Sequence, residues 1–267
     1  MLNSLNFSKN GDLFAPFRSW VAETAAVEQG QDEVTGLYWC RARLEGTEAW
    51  SADTEAGPAL EKTLRKLAAA IHCASLMPEN GFPGLGCGST REDALAAAWQ
   101  DLFICAMRFK LKSVRLVAPD AGEEIPGFWE PYRERYLSAG MDVSVKDCGM
   151  LKRYPVLALQ IDGQLVPGAG TTWKEAVLDC ISRDIRRRLF GKPEGIPAYS
   201  DDDPSYPASS GFYRSTAEAI GEYLAMAKRY HTVIRAKDIS VEGLSVMRVL
   251  LDEPNPGWNT ESDYYTA

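Results

Sequence analysis

The chain has 267 residues, of which 45% are apolar and 25% charged. Those proportions exclude a fibrous, disordered or disulfide-scaffold class. A formal net charge of −8 argues against nonspecific nucleic-acid binding, which runs on phosphate neutralisation. The acids gather at the ends: nine acids against four bases in residues 1–60, and eleven against six in 201–267. They read as solubilising surface. Apolar runs such as Ala68-Ala69-Ala70-Ile71 fall far short of the ~20 residues of a membrane span. The first residues show no charged start followed by an apolar stretch, so a cytoplasmic protein without a membrane segment is expected.

In chain order, residues 38–44 read as a strand and 61–76 as a helix. Gly86-Cys87-Gly88-Ser89-Thr90 then opens a helix in which Ala94, Leu95, Ala98 and Leu102 give the apolar spacing. Residues 114–117 suggest a strand, 132–140 a helix, and 141–147 and 154–161 alternating strands. Gly168-Ala169-Gly170-Thr171-Thr172 opens a further helix carrying Ala176, Val177, Cys180, Ile181 and Ile185. Residues 191–213 hold four prolines and Asp201-Asp202-Asp203, a loop too long for a simple connector. A helix over 216–230 and strands over 232–238 and 244–251 follow. The tail is irregular, and Tyr264-Tyr265 within it is a candidate partner handle.

Two features repeat. The Gly-x-Gly-Ser/Thr-Thr segment recurs 82 residues apart, and each copy precedes a capping-box pair, Thr90 with Asp93 and Thr172 with Glu175. Helix, strand ending in Asp, turn, strand also recurs, at 132–161 and at 216–251. Glycines at a helix start allow a sharp turn or a close backbone approach, and free N–H groups there can cradle phosphate. Gly86, Gly88, Ser89, Thr90, Gly170 and Thr172 therefore read either as capped turns or as an anion cradle. The cysteines (40, 73, 87, 105, 148, 180) form no Cys-x-x-Cys, and the histidines are His72 and His231. No zinc-ligand spacing results, and buried thiols in a reducing compartment are expected.

Taken in order, these motifs resemble the YcaO family of ATP-dependent enzymes that modify peptide-backbone amides. The family's approximate Gly-Leu-Ala-Ala-Gly-Asn-Thr-x-Glu-Glu-Ala is matched by Gly84-Leu85-Gly86-Cys87-Gly88-Ser89-Thr90-Arg91-Glu92-Asp93-Ala94. Its later Gly-Ala-Gly-…-Glu-Ala is matched by Gly168-Ala169-Gly170-…-Glu175-Ala176, and its closing strand pair by Ile234-…-Asp238-…-Val246-Met247-Arg248-Val249. The likeness implies an α+β fold: a YcaO-like domain of duplicated helix-strand-strand units around mixed β-sheets. That domain would cover residues 1–257, with 1–80 divergent, 191–213 its Pro/Asp-rich loop, and 258–267 an irregular tail.

Known members hold magnesium and the phosphates of ATP with clustered carboxylates. A nucleophile from the substrate peptide adds to a backbone carbonyl, ATP phosphorylates the oxyanion, and loss of phosphate leaves an azoline, thioamide or amidine. Here the expected Glu-x-x-Glu-Arg positions fall on Asp101, Ile104 and Cys105 in one helix. In the first helix they fall on Lys66, Ala69 and Ala70, and in the third a glutamate position is Arg183. Ser51 marks what remains of an early Ser-Gly-Lys-Gly turn. Asp101 is the residual candidate for Mg/ATP ligation, and no metal site is assigned.

The resemblance thus implies bacterial peptide natural-product modification by a non-catalytic scaffold or substrate-binding subunit. The alternative is an active, divergent cyclodehydratase using ATP and Mg. The implied partners are a precursor (leader) peptide and maturation subunits such as a catalytic YcaO or a flavin dehydrogenase; a homodimer is compatible. Arg183 and Arg187, four apart on one helix face, read either as contacts for an acidic partner or as a solvated helix end. Arg183 corresponds to Asp101 in the repeat, so its guanidinium is expected to face the same cleft and stand in for metal charge.

Overall fold

Three times along this chain an antiparallel meander is covered by the helix that follows its inner strand. The computed structural model describes residues 24–44, 46–74, 82–88, 90–110, 124–147, 156–170, 172–191, 196–197, 217–218, 221, 234–240 and 245–251. In chain order the elements are β1 (Ala26–Gln31), β2 (Tyr38–Leu44), β3 (Thr47–Asp53), α1 (Ala56–Ala74), β4 (Phe82–Gly88) and α2 (Arg91–Lys110). Then come α3 (Glu124–Ser138), β5 (Val143–Asp147), β6 (Val156–Ile161), β7 (Gln164–Ala169), α4 (Trp173–Phe190), β8 (Ile196–Pro197), β9 (Ile234–Asp238) and β10 (Ser245–Leu251).

One unit is β1-β2-β3 with α1, and another is β5-β6-β7 with α4, where β8 adds a short edge. The third is stitched from distant parts of the chain. β4 and α2 are completed by β10 and β9, in the order β4-β10-β9. Every strand pairing among the described residues is antiparallel, a narrower arrangement than mixed sheets. Each of the three covering helices also touches a strand of another unit, α1 on β4, α2 on β7 and α4 on β3, which closes the units into a ring.

Equivalent residues make equivalent contacts. Ser51, Gly86 and Gly168 are separated by 35 and 82 residues, as are Ala59, Ala94 and Ala176. A Cβ on Gly86 would overlap Ala94 O and Ala98 N, and one on Gly168 would lie 2.7 Å from Ala176 O. At Ser51 there is room for a side chain, and its Oγ donates to Ala59 O at 2.6 Å. The glycines thus serve helix-on-strand contact. They lie in strands β4 and β7, not in the turns that their composition suggests.

Beyond them, Thr90 Oγ1 accepts from Asp93 N at 3.1 Å, and Thr172 Oγ1 from Glu175 N at 3.2 Å. These bonds set where α2 and α4 begin. At the other end of α4, Gly191 takes φ +61° and its N–H returns to Arg187 O, which a left-handed cap requires.

The strands expected near 38–44, 141–147, 154–161, 232–238 and 244–251 are present. The helix expected over 132–140 starts earlier, at Glu124, and continues through Pro131. The expected strand at 114–117 and the tail lie outside the described residues, as do most of the 191–213 loop and the 216–230 helix. One core packs sheet β5–β7, α3 and α4 around Tyr136, Leu157, Leu159, Ile161 and Ile181. A second sets α1 against β2, β3 and β10 through Leu64, Leu67, Ala68 and Val246. Trp50 fastens the first unit to α4, its Nε1 donating to Ser182 O at 3.1 Å while its ring stacks on Trp39. No helix among the described residues is long and apolar enough to cross a membrane.

Candidate functional site

At the hub of the ring, the edges of β3 and β4 and the part of the β7 edge beyond its short pairing with β8 need their backbone groups satisfied. Lys66 on α1 donates its Nζ to Trp50 O at 3.4 Å. At the same position of the next unit the polarity is reversed, and Asp101 Oδ2 on α2 accepts Leu85 N at 3.0 Å. In the β5–β7 unit Asp179 Oδ2 accepts Ala169 N at 3.2 Å and also takes Arg183 Nε at 3.0 Å. Lys66, Asp101 and Arg183 occupy corresponding helical positions, 35 and 82 residues apart.

Their charges act on one another. Burial pushes the Asp101 carboxyl above the ordinary aspartate range, while the Leu85 amide, Arg183 and Lys66 pull it back and Asp179 opposes them. Burial likewise raises the Cys87 thiol, against the nearby cations Lys66 and Arg65. The chemistry of this hub is therefore two ammonium- or guanidinium-type cations among two carboxylates already bonded to backbone amides.

The sequence candidates divide clearly. Asp101, Lys66 and Arg183 converge. The glycine segments do not form one cradle: Gly86 and Gly88 lie in β4 and Thr90 caps α2, Gly170 and Thr172 precede α4, and Ser89 lies outside the described residues. Arg183 and Arg187 both bond acids of their own helix. Arg187 donates to Asp184 Oδ1 at 2.7 Å and to Gln164 Oε1 at 2.6 Å. Asp179, which sequence reasoning passed over, has no counterpart at its repeat position, where Ala97 stands. Its spacing of four from Arg183 is the one available signal.

Arg188 belongs to a second, structural network. Its Nη1 and Nη2 grip Asp32 at 2.8 and 3.0 Å, and its Nε reaches Asp184 Oδ2 at 2.8 Å. Tyr136 OH donates to the same Asp184 oxygen at 2.8 Å. Asp184 is fully buried. Separately, a groove of about 350 Å³ runs between the β1–β2 turn and α3, walled by Leu37, Phe128, Pro131 and Tyr132.

A scan against protein-family models finds no match, and a search of curated proteins finds no similar sequence. Solved structures do match. A YcaO protein from Methanopyrus kandleri, bound with AMPPCP and Mg2+, aligns over 92% of this chain and 94% of its own, at TM-score 0.56 and 11% identity. The chain has the YcaO fold. A heterocyclase in complex with substrate and cofactor aligns over 90% of this chain at TM-score 0.59, also at 11% identity. The chain spans about half (51%) of that protein's length.

Magnesium takes oxygen ligands, usually ionised carboxylates. In this YcaO fold no group of three or more His, Cys, Asp or Glu side chains gathers among the described residues. At the hub, burial holds the Asp101 carboxyl above the ordinary aspartate range, Asp179 is bonded to a guanidinium, and Lys66 and Arg183 stand at the positions corresponding to Asp101. The hub residues do not fit a magnesium–nucleotide centre.

Proposed function

We propose that this chain serves peptide natural-product modification as a non-catalytic scaffold or substrate-binding subunit. The reading is carried by one observation: two of the three equivalent hub positions are cationic, and both carboxylates nearby are committed to strand-edge amides. Phosphoryl transfer needs the opposite arrangement, open carboxylates that align metal and triphosphate before transfer. The YcaO fold supports the peptide-modifying context, and the heterocyclase bound to substrate and cofactor supports a peptide as the species recognised. Precursor peptide and maturation subunits are the proposed partners.

Calorimetric titration with ATP and magnesium, alongside a phosphate-release assay in the presence of candidate precursor peptide, tests this. No magnesium-dependent heat and no released phosphate are expected. Low-micromolar binding with turnover would instead establish the active, divergent cyclodehydratase. Measuring the affinity for the precursor peptide itself separates a substrate-binding subunit from a scaffold.

A further inference from the structure

The groove beside the β1–β2 turn lies apart from the hub, and its two walls differ in chemistry. The turn wall is fixed from behind. Asp32 accepts the Thr35 amide at 2.8 Å and the Thr35 hydroxyl at 2.7 Å, and Arg188 holds Asp32 in turn. Gly36 takes φ +72°, and a Cβ there would come within 2.1 Å of Arg135 Nη1. The missing side chain lets Arg135 reach across from α3 and donate to Thr35 O. Its Nε and Nη2 keep no partner among the described residues.

The α3 wall is aromatic. Phe128 and Tyr132 lie with ring centroids 5.4 Å apart, and with Pro131 and Leu37 they make the lining largely apolar. Burial lifts the Tyr132 phenol above its ordinary range, while Arg135 pulls it back and Asp53 adds to the rise. Among the described residues no acid lines the groove. Asp53 itself is engaged by Lys62 and by the Thr54 amide. A second cation stands close, with Lys174 Nζ 5.5 Å from the Phe128 ring centroid. An apolar groove with unused guanidinium donors and an excess of positive charge calls for an apolar ligand that carries an anion.

We propose that this groove takes the free C-terminal end of a peptide whose last residue is apolar or aromatic, with the carboxylate on Arg135 and the side chain against Phe128 and Tyr132. The planar guanidinium fork matches a carboxylate in geometry. A volume of about 350 Å³ suits a chain end rather than a folded partner. A free amino acid is disfavoured, because it brings an ammonium beside its carboxylate, toward Arg135 and Lys174. In a peptide that nitrogen is an uncharged amide, and the exposed Gly127, Pro131 and Thr54 leave the groove open for the preceding residues. The site stands on the groove alone and does not rest on the role proposed for the hub.

Calorimetric titration of the full chain with acetyl-Leu-Phe, acetyl-Leu-Phe amide and free phenylalanine, at one ionic strength, provides the test. The acid is expected to bind saturably, about tenfold or more tighter than either the amide or phenylalanine. Arg135→Met should lose the preference for acid over amide, and Phe128→Ala should weaken both. Arg135→Lys keeps a charge without the fork and should shrink the preference; it serves if Arg135→Met fails to fold. No binding by the wild type, equal binding of acid and amide, or a preference that survives in Arg135→Met would each overturn the proposal. Tighter binding of phenylalanine would make the groove a small-molecule site. Self-association of the chain that Arg135→Met abolishes, with no peptide bound, would assign the groove to a second copy instead.

Discussion

Replacing Arg188 by Met removes the link that ties the β1–β2 turn to α4. The wild-type guanidinium makes two bonds to Asp32 and one to Asp184, and the acids keep other donors afterwards. Asp184 retains Arg187 and Tyr136, and Asp32 retains the amide and hydroxyl of Thr35. Breaking a buried pair costs about 3–5 kcal/mol, and those surviving donors place this case near the lower end, at about 3 kcal/mol. For a chain of this size that corresponds to a fall in Tm of roughly 6–12 °C.

Burial alone would raise the Asp32 carboxyl, but bonds from Arg188 and Thr35 hold it below the ordinary aspartate range. Its contribution to stability is thus present above the unfolded pKa of about 4 and lost as pH falls through the folded value. Urea denaturation of the wild type, Arg188→Met, Asp32→Asn and the double variant, at neutral and acid pH, measures both effects. The single variant should lose part of the acid dependence, and the double variant should lose less than the sum of the singles. A loss under about 1 kcal/mol for Arg188→Met, or strict additivity, would show that the network is not the link described.

Three further outcomes are expected. Tyr136→Phe removes one bond to a buried carboxylate and should cost about 1.5–3 kcal/mol, read by urea denaturation. Gly86→Ala should cost about 1–3 kcal/mol or more through overlap with the α2 backbone, whereas Gly163→Ala, with open space at φ +80°, should cost about 1 kcal/mol; equal losses would refute the close-approach reading. Asp101 has a raised folded pKa, so its proton is held more tightly in the native state and stability falls as pH rises through that value. Asp101→Asn should flatten that fall without lowering the neutral-pH Tm, and a large loss at pH 7 would mean that the ionised carboxylate is needed.

The glycine pairs, the Thr caps and the spacing of Ala94, Ala98, Ala176 and Cys180 made two helices and their relationship legible. So did the β-branched alternation of β5, β6, β9 and β10. What composition concealed was that β4 and β7 are strands, because Pro83, Gly84, Gly86, Pro167 and Gly168 are poor strand formers. They are tolerated where an edge is free or a helix backbone presses close. The β1–β3 unit was hidden because Ser51 solves the same contact with a hydroxyl bond rather than a missing side chain. At the hub, Lys66, Asp101 and Arg183 were aligned by the motifs, but the role of Asp179 was not, since edge capping leaves no periodic trace.

The order β4-β10-β9 has a temporal side. β4 and α2 leave the ribosome more than a hundred residues before the strand that covers the β4 edge, so that edge waits unpaired while most of the chain is made. Long-range strand pairing of this kind closes late and slowly, and an uncovered edge in the interval invites association. The unit built on Gly86 is therefore expected to be the last to lock. Chains halted before residue 245 should bury α1 and α4 yet leave α2 without its sheet, a species that chaperones would engage and proteases would find first.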